Sequence, residues 1–191
     1  YGHGFLTKDG LKMGKSLGNF WTTRDVLERY HPEAIRFFMS TTHYRRPINY
    51  SVDTLNDATR SLVYMYETLE RIDEALAKGG GSPDAVLPEG AGFDKASGEF
   101  VEGFRVALDD ELTNDFNTPN VITLLQDAAH RANELTRSKK KPKPPAVKTL
   151  LGLRRAMTTA GSILGLLERE PKAALERLRE LGAKAMGLDI D

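Results

Sequence analysis

The chain contains no cysteine. A disulfide framework, a thiolate zinc site and a cysteine nucleophile are therefore excluded from these 191 residues. No apolar run approaches the roughly 20 residues needed to cross a bilayer, and the first residues lack a signal-peptide pattern. Charge of one sign is also missing in excess, since 27 Lys and Arg face 27 Asp and Glu. That balance excludes a uniformly basic nucleic-acid binder but leaves room for a local basic patch. What is present, 40% hydrophobic and 28% charged residues, is a globular composition sized for one ordinary domain or two small ones. The expectation is a soluble protein of the cytoplasm.

The chain opens at Tyr1 without a Met and enters strand-like sequence at once: Phe5-Leu6-Thr7 and Leu11-Lys12-Met13 flank Lys8-Asp9-Gly10. An Asp-Gly pair between short apolar runs is a hairpin signal, because Gly tolerates the positive φ of a tight turn. A hairpin with no sheet partner in view is marginal alone, so the start of a larger domain is expected to precede it.

Helix signals dominate the rest. Thr22 with Asp25 three residues on reads as a capping box for a helix to about Tyr30. Pro32 opens a second short helix, and Thr42 to Pro47 reads as loop. Ser51 caps a long helix to about Lys78, with Leu55, Leu62, Leu69 and Leu76 as its core stripe. A Gly/Pro-rich linker spans 79–92. Beyond it, one helix carries Phe100, Phe104 and Leu108 and ends near Asp109-Asp110-Glu111, with Leu112 to Asn117 as loop. Thr118-Pro119 reads as cap plus proline for a helix to about Arg137. After a basic, proline-rich break at Ser138 to Pro145, two helices at about Ala146 to Leu167 and Pro171 to Met186 finish the chain. The fold class expected is mainly α: a short N-terminal hairpin and loop, then helices in an antiparallel bundle.

Lys12-Met13-Gly14-Lys15-Ser16 is the stretch that carries chemistry. Two lysines three apart on a glycine-containing loop can meet one polyanion, and the glycine lets backbone approach phosphate oxygens. Charge placed against a developing pyrophosphate would accelerate nucleotidyl transfer. On spacing alone, a solvated surface pair explains the same residues.

The run from Lys12 to Phe20 resembles the Lys-Met-Ser-Lys-Ser signature of class I aminoacyl-tRNA synthetases, with its Leu-Gly-Asn tail and with Gly14 in place of the central serine. Further segments narrow the resemblance to the cysteinyl-tRNA synthetases: Ala34 to Phe38, His43-Tyr44-Arg45, Ile48 to Ser51, Phe104 to Asp110, Asp115 to Pro119, and Leu164 to Leu167. Glu111 to Asn114 stand as a short insertion relative to that pattern. The resemblance implies that Lys15 is the principal contact to the ATP phosphates, that Lys12 assists it, and that Met13, Gly14 and Ser16 complete the ATP-binding loop. It implies magnesium-bound ATP, cysteine and tRNA(Cys) as substrates, and a zinc ion held in the intact enzyme but by no residue here. It also implies a division into the end of a catalytic domain with the signature loop and a stem-contact region (1–50), its Rossmann core expected outside this chain, a connecting helix (51–78), the linker (79–92) and a DALR-like helical bundle (93–191). The family's His-x-Gly-His signature is absent, since His3-Gly4 is not that motif, so the chain alone is expected to be inactive.

His43, Tyr44, Arg45 and Arg46 are candidates for tRNA contact, with arginines on phosphates and Tyr44 against sugar or base; a hydrogen-bonded inter-helix loop accounts for them equally. Lys139, Lys140, Lys141 and Lys143 read first as a solvated loop and only second as a phosphate contact. Asp109, Asp110, Glu111 and Asp115 lack a metal-loop spacing and are assigned helix-end and capping roles. His31 and His130 read as helix-boundary and helix-surface residues, and Trp21 as core packing. Two other functions stay open: an ATP-dependent ligase joining cysteine to an amino-sugar, and a tRNA-docking module without catalysis.

Overall fold

The computed structural model describes residues 6–8, 11–12, 22–138 and 140–185. Leu6–Lys8 (β1) and Leu11–Lys12 (β2) pair antiparallel, with Thr7 opposite Lys12 and Lys8 opposite Leu11. The sequence signals two strands and no partner. The partner is Ile48–Tyr50 (β3), which lies parallel to β1 with Leu6 opposite Ile48, giving the order β2-β1-β3. Ile48 and Tyr50 are buried and Asn49 between them is exposed, the alternation of a strand covered on one face.

Between these strands lie two short helices. Thr23–Leu27 (α1) starts from the Thr22–Asp25 capping box and stops short of the expected Tyr30. Pro32–Ser40 (α2) has proline at its first position and His31 as N-cap, whose Nδ1 accepts from the Glu33 amide at 3.2 Å. Val52–Gly79 (α3) comes directly after β3, capped by a reciprocal Ser51–Thr54 box and ended by Gly80 at φ 83°. Its Leu55, Leu62, Leu69 and Leu76 are all essentially inaccessible to solvent. Gly98–Thr113 (α4), Thr118–Thr136 (α5), Pro144–Ile163 (α6) and Pro171–Ala185 (α7) complete the order. The long α3 is the axis of the molecule, in contact with α2, α5, α6 and α7.

Boundaries besides that of α1 depart from the sequence reading, and α6 ends at Ile163, before the expected Leu167. α4 runs past Glu111 to Thr113, because the Thr113 hydroxyl bonds back to the Asp109 carbonyl and keeps the last turn helical. α5 is entered from Asn117, leaving Thr118 inside its first turn. α6 begins at Pro144, a residue whose missing N–H costs nothing at a helix start. The Gly/Pro stretch after α3 is strapped to α6: Arg155 donates to the Ala85 carbonyl at 2.8 Å and Lys148 to the Ala91 carbonyl at 2.6 Å. Ala85 and Leu87 pack against the core. Among the described residues no helix is long and apolar enough to cross a membrane.

Candidate nucleic-acid interface

Of the lysine-containing loop, Lys12 is placed by its backbone in β2, while Met13, Gly14, Lys15 and Ser16 lie outside the described residues, as do Trp21 and Lys139. The sheet that leads into the loop is tied to β3 and, through it, to the helical bundle. The Thr7 hydroxyl sits 3.3 Å from the Ile48 carbonyl and 3.2 Å from Asn49 Oδ1. β3 then passes straight into the capped start of α3, so the strand before the loop and the axis of the bundle share one joint.

The second candidate segment, His43 to Arg46, is a turn between α2 and β3, closed by the Arg46 amide on the His43 carbonyl at 2.8 Å. Three of its four side chains converge on one carboxylate. Tyr44 donates to Asp115 Oδ1 at 2.7 Å, Arg45 Nη2 donates to the same oxygen at 3.0 Å, and His43 Nε2 lies 3.6 Å from Asp115 Oδ2. Arg45 Nε also donates to the Tyr44 hydroxyl at 2.9 Å, and the His43 and Tyr44 rings stack with centroids 4.8 Å apart. These contacts, the Tyr44 oxygen first and the Asp115 charge next, raise the Arg45 pKa above its ordinary value. Arg46 is different: its guanidinium is exposed and forms no ion pair among the described residues.

Asp115 belongs to the turn joining α4 to α5, and that turn has an unusual backbone. Asp115 and Phe116 both stand at positive φ, 55° and 51°. An aspartate visits this region with modest penalty, whereas a phenylalanine pays for its Cβ against the carbonyl. The turn is pinned by the Phe116 amide on Leu112 O (3.3 Å), the Asn117 amide on Glu111 O (3.0 Å) and the Thr118 amide on Phe116 O (2.7 Å). Glu111 also accepts from the Asn117 and Asn120 side-chain amides at 3.0 and 2.9 Å. The capping role expected of Glu111 is thus partly met, but Asp115 is corrected: its carboxylate clasps a loop 70 residues away. Asp109 makes a surface pair with Arg105. No metal-ligating cluster of His, Asp and Glu occurs among the described residues.

Between the two turns lies a cavity of about 610 Å³, bordered by His43, Arg45 and Arg46 on one side and Asn117, Pro119 and Asn120 on the other. Thr41 and Thr42 border it and also a second depression along α2 and α3; that one in turn shares Ser61 and Gln126 with a third, which reaches Tyr64 and His130. The three share these residues and so abut; hydroxyl and amide side chains such as Thr41, Thr42, Asn117 and Asn120 predominate only at the end beside Arg46. The clasp by Asp115 escaped sequence reading because its partners are far apart in the chain, and neither positive φ is announced by a glycine.

Comparison with known proteins gives the class first. Residues 1–60 match the tRNA synthetases class I (C) catalytic domain, and residues 104–168 match the DALR domain. Both candidate segments at the start of the chain fall in the first match and the α4–α5 turn falls in the second. The particular relatives are cysteine–tRNA ligases. That of Anaeromyxobacter sp. (strain Fw109-5) is 43% identical over 187 residues, covering 98% of this chain and 36% of the relative. That of Pelobacter propionicus is 36% identical over 191 residues (96% and 38%), and that of Haemophilus influenzae 38% over 173 residues (91% and 32%). Over nearly its whole length the chain is a homologue of the cysteine–tRNA ligases, and it spans about a third of the length of these relatives.

Proposed function

We propose that the chain supplies the ATP-phosphate loop and the tRNA-contacting helices of a cysteine–tRNA ligase working in the cytoplasm. The observation that carries this reading is the joint presence of a class I catalytic segment and a DALR domain in one chain, at 43% identity over 98% of its length to such a ligase. On this reading residues 1–50 end the catalytic domain, 51–78 connect it, 79–92 bridge, and 93–191 form the bundle that holds tRNA(Cys).

The whole ligase would act in two steps. The cysteine carboxylate attacks the α-phosphorus of ATP, expelling pyrophosphate, and the terminal ribose hydroxyl of tRNA(Cys) then attacks the adenylate carbonyl, expelling AMP. Lys15 neutralises the negative charge that builds on the departing pyrophosphate, with Lys12 beside it; Ser16 adds a hydrogen bond, and Met13 and Gly14 bring backbone near the phosphates. Magnesium would accompany the ATP. Zinc, implied for the whole ligase, has no thiolate ligand in this cysteine-free chain. Because these 191 residues also lack the second nucleotide signature, the chain by itself makes no adenylate.

His43, Tyr44, Arg45 and Arg46 contact the tRNA backbone in this scheme. Arg46 meets a phosphate, and the Asp115 clasp holds Tyr44 and Arg45 in place. The test is cysteine-dependent ATP–pyrophosphate exchange and tRNA(Cys) charging by the whole ligase, with and without Lys15→Ala. A loss of about a hundredfold or more in exchange is expected, the scale of removing one charge-stabilising group from a transition state. Exchange indifferent to cysteine, or to the substitution, would overturn the reading. Exchange without tRNA charging would transfer it to an amino-sugar ligase.

A further inference from the structure

Phe116 is the most exposed aromatic side chain among the described residues, at 67%. It is held at φ 51°, a backbone state that is strained for a non-glycine residue. A phenyl group is normally kept for burial, yet here a strained turn holds it in solvent. Asn or Gly would satisfy the same turn more cheaply, so the turn alone does not account for a ring at this position.

Its surroundings indicate a ligand. The residue before it, Asp115, anchors Tyr44 and Arg45; the residue after it, Asn117, borders the cavity of about 610 Å³ that Arg46 faces across the gap. Arg46 is the cation of this corner that no carboxylate neutralises among the described residues. An exposed ring and an uncompensated guanidinium on opposed turns, with amides and hydroxyls between them, match one chemistry: an unpaired nucleotide, its base on the ring and its phosphate on the arginine. A protein partner would be expected to meet that arginine with a carboxylate, whereas RNA brings the charge with the base.

We propose that Phe116 is a stacking platform for an unpaired base of the bound RNA, with Arg46 taking a phosphate of the same strand. This deepens the tRNA reading above and rests on it. Binding of the full chain to a tRNA(Cys) transcript and to a blunt RNA duplex, monitored by fluorescence anisotropy across a range of salt, tests it. Phe116→Asn keeps a residue that tolerates positive φ and removes the ring. It should weaken tRNA binding about five- to a hundredfold, the range of losing one base stack. The salt slope and the duplex affinity should hold, the melting temperature should stay level or rise because asparagine suits the turn better, and Phe116→Trp should bind tRNA as the parent does. Arg46→Gln should lower the salt slope by about one on both RNAs.

Parental affinity for tRNA in Phe116→Asn, or equal losses on both RNAs, would overturn the stack while leaving the ligase reading intact. A fall in melting temperature of the whole ligase carrying Phe116→Asn, with RNA affinity untouched, would assign the ring to a protein contact and overturn it too. If the parent chain binds no tRNA(Cys), the tRNA reading falls first and the platform with it.

Discussion

Glu33, near the start of α2, accepts a hydrogen bond at 3.2 Å from the backbone amide of Leu167, 134 residues later. The same oxygen accepts from the Tyr66 hydroxyl at 2.8 Å, and Arg169 lies 3.4 Å from its partner oxygen. Glu33 is a buried carboxylate with every partner charged or polar, and it joins α2, α3 and the α6–α7 turn. That turn needs the support, since Gly165 and Leu167 both stand at positive φ. Burial first, and the Glu33 charge second, push the Tyr66 hydroxyl well above its ordinary pKa, so it remains a donor.

Glu33→Ala therefore strands a buried hydroxyl and a buried amide at once. The expected cost is about 3 kcal/mol, the scale of breaking a buried polar network by removing one partner. Urea unfolding should show the midpoint falling with the slope unchanged. A midpoint equal to the parent's would refute the role given to this carboxylate.

His31 supplies a pH dependence. Burial holds its imidazole below the ordinary value, against an opposite pull from the Glu33 charge, and its Nδ1 must be unprotonated to cap α2. The folded pKa is thus depressed relative to the unfolded chain, where it is about 6.5. The unfolded state then binds the proton more readily, so this contribution is complete above about pH 6.5 and is lost as the pH falls below it. His31→Asn caps without titrating, and it should flatten the melting-temperature profile between about pH 7.5 and 5. An unchanged profile would mean that other groups set it.

Gly152 marks a close approach inside the bundle. A Cβ there would collide with the Val101 side chain of α4, leaving the neighbour no room. Gly152→Ala should destabilise by about 1–3 kcal/mol through overpacking, despite alanine's better helix propensity. Combining it with Val101→Ala should recover part of the loss. A double-mutant cycle with no coupling would show that the two helices separate freely.

Asp115→Ala should act on RNA rather than on the core. It removes the carboxylate that shares Arg45, so the arginine meets its phosphate with its full charge and the salt slope should steepen by up to about one. The turn that holds Tyr44 loosens at the same time, so affinity at high salt should fall. Binding curves that superimpose at every salt concentration would show that the clasp has no bearing on RNA.

Much of this architecture is readable from local chemistry. The Thr22 box, the Ser51 cap, Pro32 and the leucine stripe of α3 are signals contained within a few residues, and each forms as its spacing implies. What escapes is what the chain joins at a distance. β3 is three residues long, too short for a periodicity, and its meaning comes from β1, far earlier in the chain. Asp115 looks like any acidic helix-end residue until the fold sets it against Tyr44. The positive φ of Phe116 has no glycine to announce it.

The 28 residues of α3 form a rod about 42 Å long at 1.5 Å per residue. One end is jointed to the sheet that leads toward the lysine loop, and along its length it carries α5, α6 and α7. Such a rod is a lever: a tilt of about 5° at the joint sweeps its far end through about 4 Å, the helical rise of two or three residues. On the function proposed above, an adjustment at the lysine loop would therefore reach the helices proposed to hold RNA as a bodily displacement.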